Sequence, residues 1–305
     1  MFCKICNQEV DNKHFYRIHK LALVDYISQY EPRYDLLTQE RISFKGDYDR
    51  YVDTDFVNRN NLKKWLKSKD LESCKKYCFD LLKRRAERKK LKYLPTHVEL
   101  KSLLCPGVIY FDDIFSSEGG YLGLAAKLGL EKRFTETTYF NDKIDNTQTI
   151  IIDTREQKPL KFLVNTKVEC LKFGDYALES NKGLVIERKS LTDFVGTLSS
   201  RNIERFEREI VRAAEANSYI VVLVEESMNR CLAFDKLPWV TKQIKASPDY
   251  IFGNVRELLQ KHKNIQFVFC EGRIEMSKLI LSILNNQGFC KDYDLQKLYD
   301  LNILV

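Results

Sequence analysis

The chain has 305 residues, 50 Lys/Arg against 43 Asp/Glu for a net charge of +7, and nine cysteines. That length has room for two or three domains, each burying its own core, and no run of about eighteen apolar residues or signal peptide points to a membrane span or secretion. An odd number of scattered cysteines in a globular composition argues against a disulfide framework and for a reducing compartment.

The first twenty residues read Cys3-x-x-Cys6, then seven residues to His14, then four to His19. Two thiols on a knuckle and two imidazoles one turn apart on a helix from about Lys13 make a compact structural Zn²⁺ pattern. The unit resembles the short N-terminal zinc fingers of phage-encoded nucleases. In those a Tyr-rich helix follows, here Val24-Asp25-Tyr26-Ile27-Ser28-Gln29-Tyr30. Residues 31 to 60 are aromatic and polar with little periodicity and read as loop with short elements.

Asn60 to Lys92 reads as helical, with Asn60/Asn61 as caps. Leu62, Trp65 and Leu66 form one apolar face, and Tyr77, Leu81 and Leu82 another. Between Leu62 and Lys92 stand thirteen Lys/Arg against four Asp/Glu. On its own such a run reads as a solvated helix face; beside a nuclease signature it reads as a phosphate-contacting one, with Lys83, Arg84, Arg85 and Arg88 the candidate DNA-binding residues. Cys74 and Cys78, at i and i+4, are expected to pack in a core. From 93 to 130 the pattern Tyr93-Leu94-Pro95-Thr96, Glu99-Leu100, Pro106, Tyr110, Phe115, Gly119-Gly120, Tyr121-Leu122 and Leu128-Gly129-Leu130 resembles the homing-endonuclease-associated repeat. The resemblance implies a small helical DNA-contacting unit; a subdomain that only packs is the alternative. Residues 135–148 are polar and read as a linker.

From Thr149 strands and helices alternate. Strands are expected at 149–153, 167–173, 183–189, 219–225 and 265–270, and helices at 190–198, 202–217, 251–262 and 273–287. That alternation calls for an α/β domain, a mixed sheet flanked by helices. The charged residues fall at strand ends. Ile150-Ile151-Ile152 runs into Asp153-Thr154-Arg155-Glu156. Gly174-Asp175-Tyr176 follows an extended segment, and Asp175 is expected to close on the next strand as a hairpin. That strand ends in Glu187-Arg188-Lys189-Ser190, with Asp193 three residues further. Side chains alternate along a strand, so Glu187 and Lys189 share a face and Arg188 takes the other. Two carboxylates and an ammonium at a strand edge suit a hard divalent cation and a phosphate beside it.

The ordered series resembles the XPF-type structure-selective nuclease domain, with its D-x-R-E, G-D-Y and E-R-K-S elements and a further Asp. The resemblance runs over about 148 to 285, through Arg205-Phe206-Glu207-Arg208-Glu209. It implies a restriction-endonuclease-like core and a Mg²⁺- or Mn²⁺-dependent phosphodiester hydrolase. Asp175 and Glu187 would then bind the metal, with Asp153 a third carboxylate at or near it and Lys189 beside it. Arg155, Glu156, Arg188 and Asp193 would support them, and Arg201 and Arg205 would touch phosphate. The resulting layout is a zinc-finger-like element at 1–30, a mostly helical DNA-binding region at 31–134, the linker at 135–148, the nuclease at 149–290 and a tail at 291–305. The partner is DNA and not a membrane. About twenty residues follow 285 without the tandem helix-hairpin-helix repeats common in XPF-type proteins, a departure that counts against the family's usual dimerisation through that region and its usual branched-DNA selectivity; a homodimer through the nuclease domain is a separate expectation. The expected setting is the cytoplasm of a bacterial or phage-infected cell. Three readings stay open: a phage-type homing or site-selective endonuclease, a flap or junction nuclease of repair or recombination, and a non-catalytic DNA-binding protein with a nuclease-like fold.

Overall fold

A computed structural model describes residues 2, 3, 6, 8–11, 13–19, 66, 67, 69–103, 105–135, 147–200, 202–237 and 246–304. The Tyr-rich segment 24–30, the expected caps Asn60 and Asn61, Leu62, Trp65 and Arg201 lie outside the described residues. The chain divides into two compact units. One comprises residues 1–92, 103–106 and 110–130, and the other 93–102, 107–109 and 131–305.

The first unit opens with a two-residue hairpin, β1 (Phe2–Cys3) and β2 (Gln8–Glu9), and the short helix α1 (His14–His19). Its long helix α2 spans Leu71–Lys89. Asp70 caps it by accepting the Ser73 N–H at 2.9 Å, and Lys90 ends it in the left-handed conformation. One stripe of α2 is buried: Cys74, Tyr77, Cys78, Leu81, Leu82, Arg85 and Ala86. Cys74 and Cys78 are thus packing residues, and burial pushes the Cys78 thiol far above its ordinary range.

In the second unit α3 (His97–Lys101) starts at a reciprocal capping box between Thr96 and Glu99. This segment carries Pro95-Thr96 and Glu99-Leu100, where a helical repeat is an expectation of the sequence. It packs inside the unit that holds the nuclease sheet: Glu99 accepts from Gln260 Nε2 at 3.0 Å, and Val98 is buried in a core with Phe252 and Leu258. The boundary between the units therefore does not fall at the expected linker, because residues 93–102 belong with the sheet. Helices α4 (Val108–Ile114) and α5 (Gly120–Leu128) follow along the chain, and residues 110–130, with all of α5 and most of α4, belong to the first unit.

The sheet has six strands in the order β4-β3-β5-β6-β7-β8. They are β3 (Thr149–Asp153), β4 (Asn165–Glu169), β5 (Tyr176–Leu178), β6 (Leu184–Lys189), β7 (Tyr219–Val224) and β8 (Ile265–Phe269). β3 runs parallel to β4 and antiparallel to β5, β5 is antiparallel to β6, and β6, β7 and β8 are parallel. The expected mixed sheet flanked by helices is what the chain builds. Two strand assignments shift. β4 is an exposed edge strand at Asn165–Glu169 and not 167–173, and the hairpin partner of β6 is β5, which begins just after Asp175.

Both faces of the sheet are covered, which is why β7 and β8 are buried along their whole length. α6 (Leu191–Thr197), α7 (Ile203–Glu215) and α9 (Pro248–Lys261) pack on the face of Ile151, Val185, Val222 and Phe267. α10 (Arg273–Asn285) and α11 (Leu295–Asp300) cover the face of Ile150, Ile186, Leu223 and Val268. A four-residue helix, α8 (Met228–Cys231), follows β7. Residues 291–305, expected as a tail, thus supply a helix whose Leu295 and Leu298 are buried in the second core. Each such side chain contributes about 1.5–3 kcal/mol on burial.

Candidate active site

The site forms where the antiparallel and parallel parts of the sheet meet, at the end of β6. Val185 belongs to the core on the α7 face and Ile186 to the opposite one. Alternation then sends Glu187 and Lys189 to the α7 face and Arg188 to the other. Lys189 Nζ is hydrogen-bonded to Glu187 Oε1.

Gly174 delivers Asp175 to this point. Its φ is +66°, and a Cβ there would sit 2.8 Å from the Ile186 carbonyl oxygen and 3.0 Å from Val185 Cβ. Only glycine tolerates both demands. The Asp175 N–H donates to the Ile186 carbonyl at 2.7 Å, its carbonyl accepts from Asp153 N–H at 2.8 Å, and its Oδ2 accepts from Arg188 N–H at 2.7 Å. Asp175 is thereby stitched between β3 and β6. Burial, and then the Glu187 carboxylate, push its carboxyl up to about 7, against the pull of the Arg188 N–H. Burial works against the charged form of Lys189. Glu187, with help from Asp175 and Glu209, more than offsets it and holds the ammonium above its ordinary range. Two carboxylates that repel one another beside an ammonium form a donor set that a divalent cation would relieve.

Asp153 has other work than that of an open third carboxylate. It is 1% exposed. Its Oδ1 accepts from Arg155 N–H at 2.8 Å and Nε at 2.6 Å, and its Oδ2 from Leu171 N–H at 2.6 Å. Burial alone would raise its carboxyl, but these donors outweigh burial and hold it below the ordinary aspartate range. Arg155 also donates to the Leu171 carbonyl at 3.0 Å. The Asp153–Arg155 pair therefore clamps the segment that feeds Phe173, Gly174 and Asp175 into place.

On the opposite face Arg188 holds Glu156 through two parallel bonds, Nε to Oε2 at 2.8 Å and Nη2 to Oε1 at 2.9 Å. Its Nη1 donates to Glu225 Oε1 at 2.9 Å, and Arg273 Nη1 donates to the same oxygen at 2.7 Å. Glu225 and Arg273 extend this network, and neither stood out in the sequence. Asp193 does not join the cluster. It is exposed and shares a reciprocal cap of α6 with Ser190, whose hydroxyl donates to Asp193 Oδ2 at 2.6 Å. Arg205 is exposed in the first turn of α7.

One carboxylate of the site, Glu209, lies outside the D-x-R-E, G-D-Y and E-R-K-S motif residues. Glu209 lies on α7 between the buried Phe206, Ile210 and Ala213, on the side of the helix that faces the sheet. Burial raises its carboxyl, the Glu187 charge adds to that, and Lys189, Arg212 and Arg155 oppose it. Its place on the 3.6-residue stripe of Phe206 and Ala213 was the available signal.

Of the cationic residues on α2, Lys83 and Arg88 are exposed and Arg84 is half-buried. Arg85 corrects the expectation: it is 6% exposed, inside the apolar stripe, and does not belong to a solvent-facing cationic surface. No helix among the described residues is long and apolar enough to cross a membrane.

No curated protein matches the chain. XPF from Aeropyrum pernix in complex with DNA is similar at 18% sequence identity and TM-score 0.35, over 46% of this chain and 64% of that one. XPF from Aeropyrum pernix in a second structure is similar at 18% identity and TM-score 0.35, over 46% and 61%. The chain thus spans less than two thirds of the length of these solved relatives. Residues 152–283, which hold Asp153, Asp175, Glu187, Lys189 and Glu209, match the ERCC4 domain, a nuclease family.

Proposed function

We propose that this protein is a divalent-metal-dependent DNA endonuclease that hydrolyses phosphodiester bonds at Asp175, Glu187 and Lys189. The observation that carries the reading is the half-buried pair of carboxylates beside a hydrogen-bonded ammonium, within the stretch that matches a nuclease family. Asp175 and Glu187 would hold Mg²⁺ or Mn²⁺. When bound, the ion lowers the pKa of a water and neutralises charge on the scissile phosphate. Lys189, kept charged by Glu187, orients the attacking water or stabilises the pentacovalent phosphate. Asp153 and Arg155 fix the loop that carries Asp175, and Arg188 and Glu156 brace the strand from behind. The products are a 5′-phosphate and a 3′-hydroxyl.

Two selectivities compete. Site-selective cutting of the homing type is favoured by the Cys/His element and the basic helix α2, which precede the nuclease strands in the sequence. Cutting at flaps or junctions is favoured by the ERCC4 match. The test is cleavage by purified protein with Mg²⁺ on matched linear, flap and Holliday-junction DNA and on a genomic library. Asp175→Asn and Glu187→Gln should abolish cleavage and retain DNA binding, since phosphate contacts by Lys/Arg supply most of it. Lys189→Ala should cost about a hundredfold in rate with little loss of affinity. Full activity in either carboxylate variant, or binding without cleavage in the wild type, overturns the reading.

A further inference from the structure

We infer that Cys3, Cys6, His14 and His19 bind one zinc ion, and that this ion is the core on which the N-terminal element folds. Cys3 sits in β1, His14 and His19 bracket α1, and Cys6 lies in the turn between β1 and β2. Cys3 Sγ is 3.3 Å from His19 Nε2, Cys6 Sγ is 3.4 Å from His14 Nε2, and the two Nε2 atoms are 3.1 Å apart. All four ligand atoms lie within 4.8 Å of one another. Zn–S bonds of about 2.3 Å and Zn–N bonds of about 2.0–2.1 Å on a tetrahedron place ligand atoms roughly 3.3–3.8 Å apart. The side chains already stand close to those separations.

The arrangement has little other reason to hold. Each strand has two residues and the helix six, far short of a helix that is stable in isolation. Phe15 and Cys3 are the fully buried apolar residues described in this element. Local backbone order is modest too: Asp11 Oδ1 accepts from Lys13 N–H at 3.0 Å and His14 N–H at 2.9 Å, which starts α1. Among the described residues a two-residue strand pairing, a small buried apolar contact and the Asp11 cap are little against the cost of ordering the element, and four metal bonds offset that cost. Two thiolates and two imidazoles select zinc over the hard cation of the Asp175–Glu187 site. The two metals are therefore separable. Among the described residues no other group of three or more Cys, His, Asp or Glu side chains converges in this way.

The test uses the full chain purified without chelator. Elemental analysis should find one zinc per chain. Exchange for Co²⁺ should give the visible d–d bands of a tetrahedral site and the near-ultraviolet thiolate charge-transfer band. Cys3→Ser and His19→Ala should each bring zinc to near zero. Asp175→Asn should keep it at one, so a failure of the nuclease reading leaves this result untouched. Hydrogen exchange at residues 2–19 should become fast in the variants while the sheet stays protected, which separates a local loss from global unfolding. Absence of zinc in the wild type, a cobalt spectrum without thiolate charge transfer, or full zinc in Cys3→Ser would overturn the assignment.

Discussion

Leu171 donates its backbone N–H to Oδ2 of Asp153 at 2.6 Å, across eighteen residues of chain. The bond fixes the point where the chain leaves the edge strand β4 and heads for Gly174. Asp153 thus helps decide where Asp175 stands.

Asp153→Asn is expected to lower stability by about 1–3 kcal/mol, because an amide presents one acceptor where Arg155 and Leu171 both need one. Arg155 is largely exposed, so its own loss should cost less than stranding the buried Asp153 partner. The cleavage rate should fall more than Mn²⁺ affinity does. Urea unfolding and manganese titration of Asp153→Asn beside Asp175→Asn check this. Equal loss of manganese affinity in the two would instead make Asp153 a direct ligand.

Glu209 adds negative charge to the site from α7. Glu209→Gln should weaken Mn²⁺ binding by about tenfold, the equivalent of one pKa unit of coupling. It should also shift the Mg²⁺ dependence of cleavage to higher concentration, with the sheet intact by circular dichroism. If both metal curves overlay those of the wild type, Glu209 acts only as a packing neighbour of Phe206.

Acid stability has an identifiable contributor far from the site. Val108 N–H donates to His97 Nδ1 at 3.0 Å, so the ring proton sits on Nε2 and is donated to Asp300 Oδ2 at 2.9 Å. Lys101 Nζ reaches the same oxygen at 2.5 Å. Burial alone would raise the Asp300 carboxyl; His97 and Lys101 more than offset it and bring it down to about 2 from an ordinary 3.8. A carboxyl depressed by folding stabilises the fold above its unfolded pKa, and that contribution is lost as pH falls through the folded value. The contribution is roughly 2 kcal/mol near neutrality and drains away between about pH 4 and pH 2. Urea midpoints of wild type and Asp300→Asn should differ at pH 7 and converge toward pH 2. A constant gap across that range would assign the loss to packing.

The period-two pattern of β6 put Glu187 and Lys189 on one face and Arg188 on the other, because strand alternation is a local property. The turn at Gly174 is visible as a glycine, but its close approach to Ile186 depends on two strands meeting, so the sequence points to the extended segment before Asp175, whereas the partner of β6 is β5, after it. Arg188 showed its direction and not its partners. Glu225 and Arg273 arrive from β7 and α10, and no spacing links them to β6. Ser247-Pro248 opens α9 three residues before the expected start, a cap-and-proline signal that apolar periodicity passed over. The role of the 93–102 segment was illegible for a related reason, since its partners Gln260, Asp294 and Asp300 lie more than 150 residues away.

The basic helix α2 divides into two kinds of cation. Cys74, Tyr77, Cys78, Leu81, Leu82 and Arg85 follow one another at alternating intervals of three and one, a helical stripe that carries Arg85 into the interior. Lys83 and Arg88 are exposed on the other side, and Arg84 stands at the margin. If this face meets DNA, each phosphate contact removed lowers the slope of log affinity against log salt by about 0.9. Joint replacement of Lys83, Arg84 and Arg88 by Gln should therefore flatten the slope by as much as about 2.7 and weaken binding alike on every duplex sequence. Arg85→Gln should behave otherwise: unchanged slope, and a stability loss of about 1–3 kcal/mol from disturbing a buried position. Fluorescence anisotropy across a salt series, run beside thermal unfolding, measures both. A triple variant with the wild-type slope would remove α2 from the DNA-binding surface, and an Arg85→Gln variant that lost slope without losing stability would restore Arg85 to it.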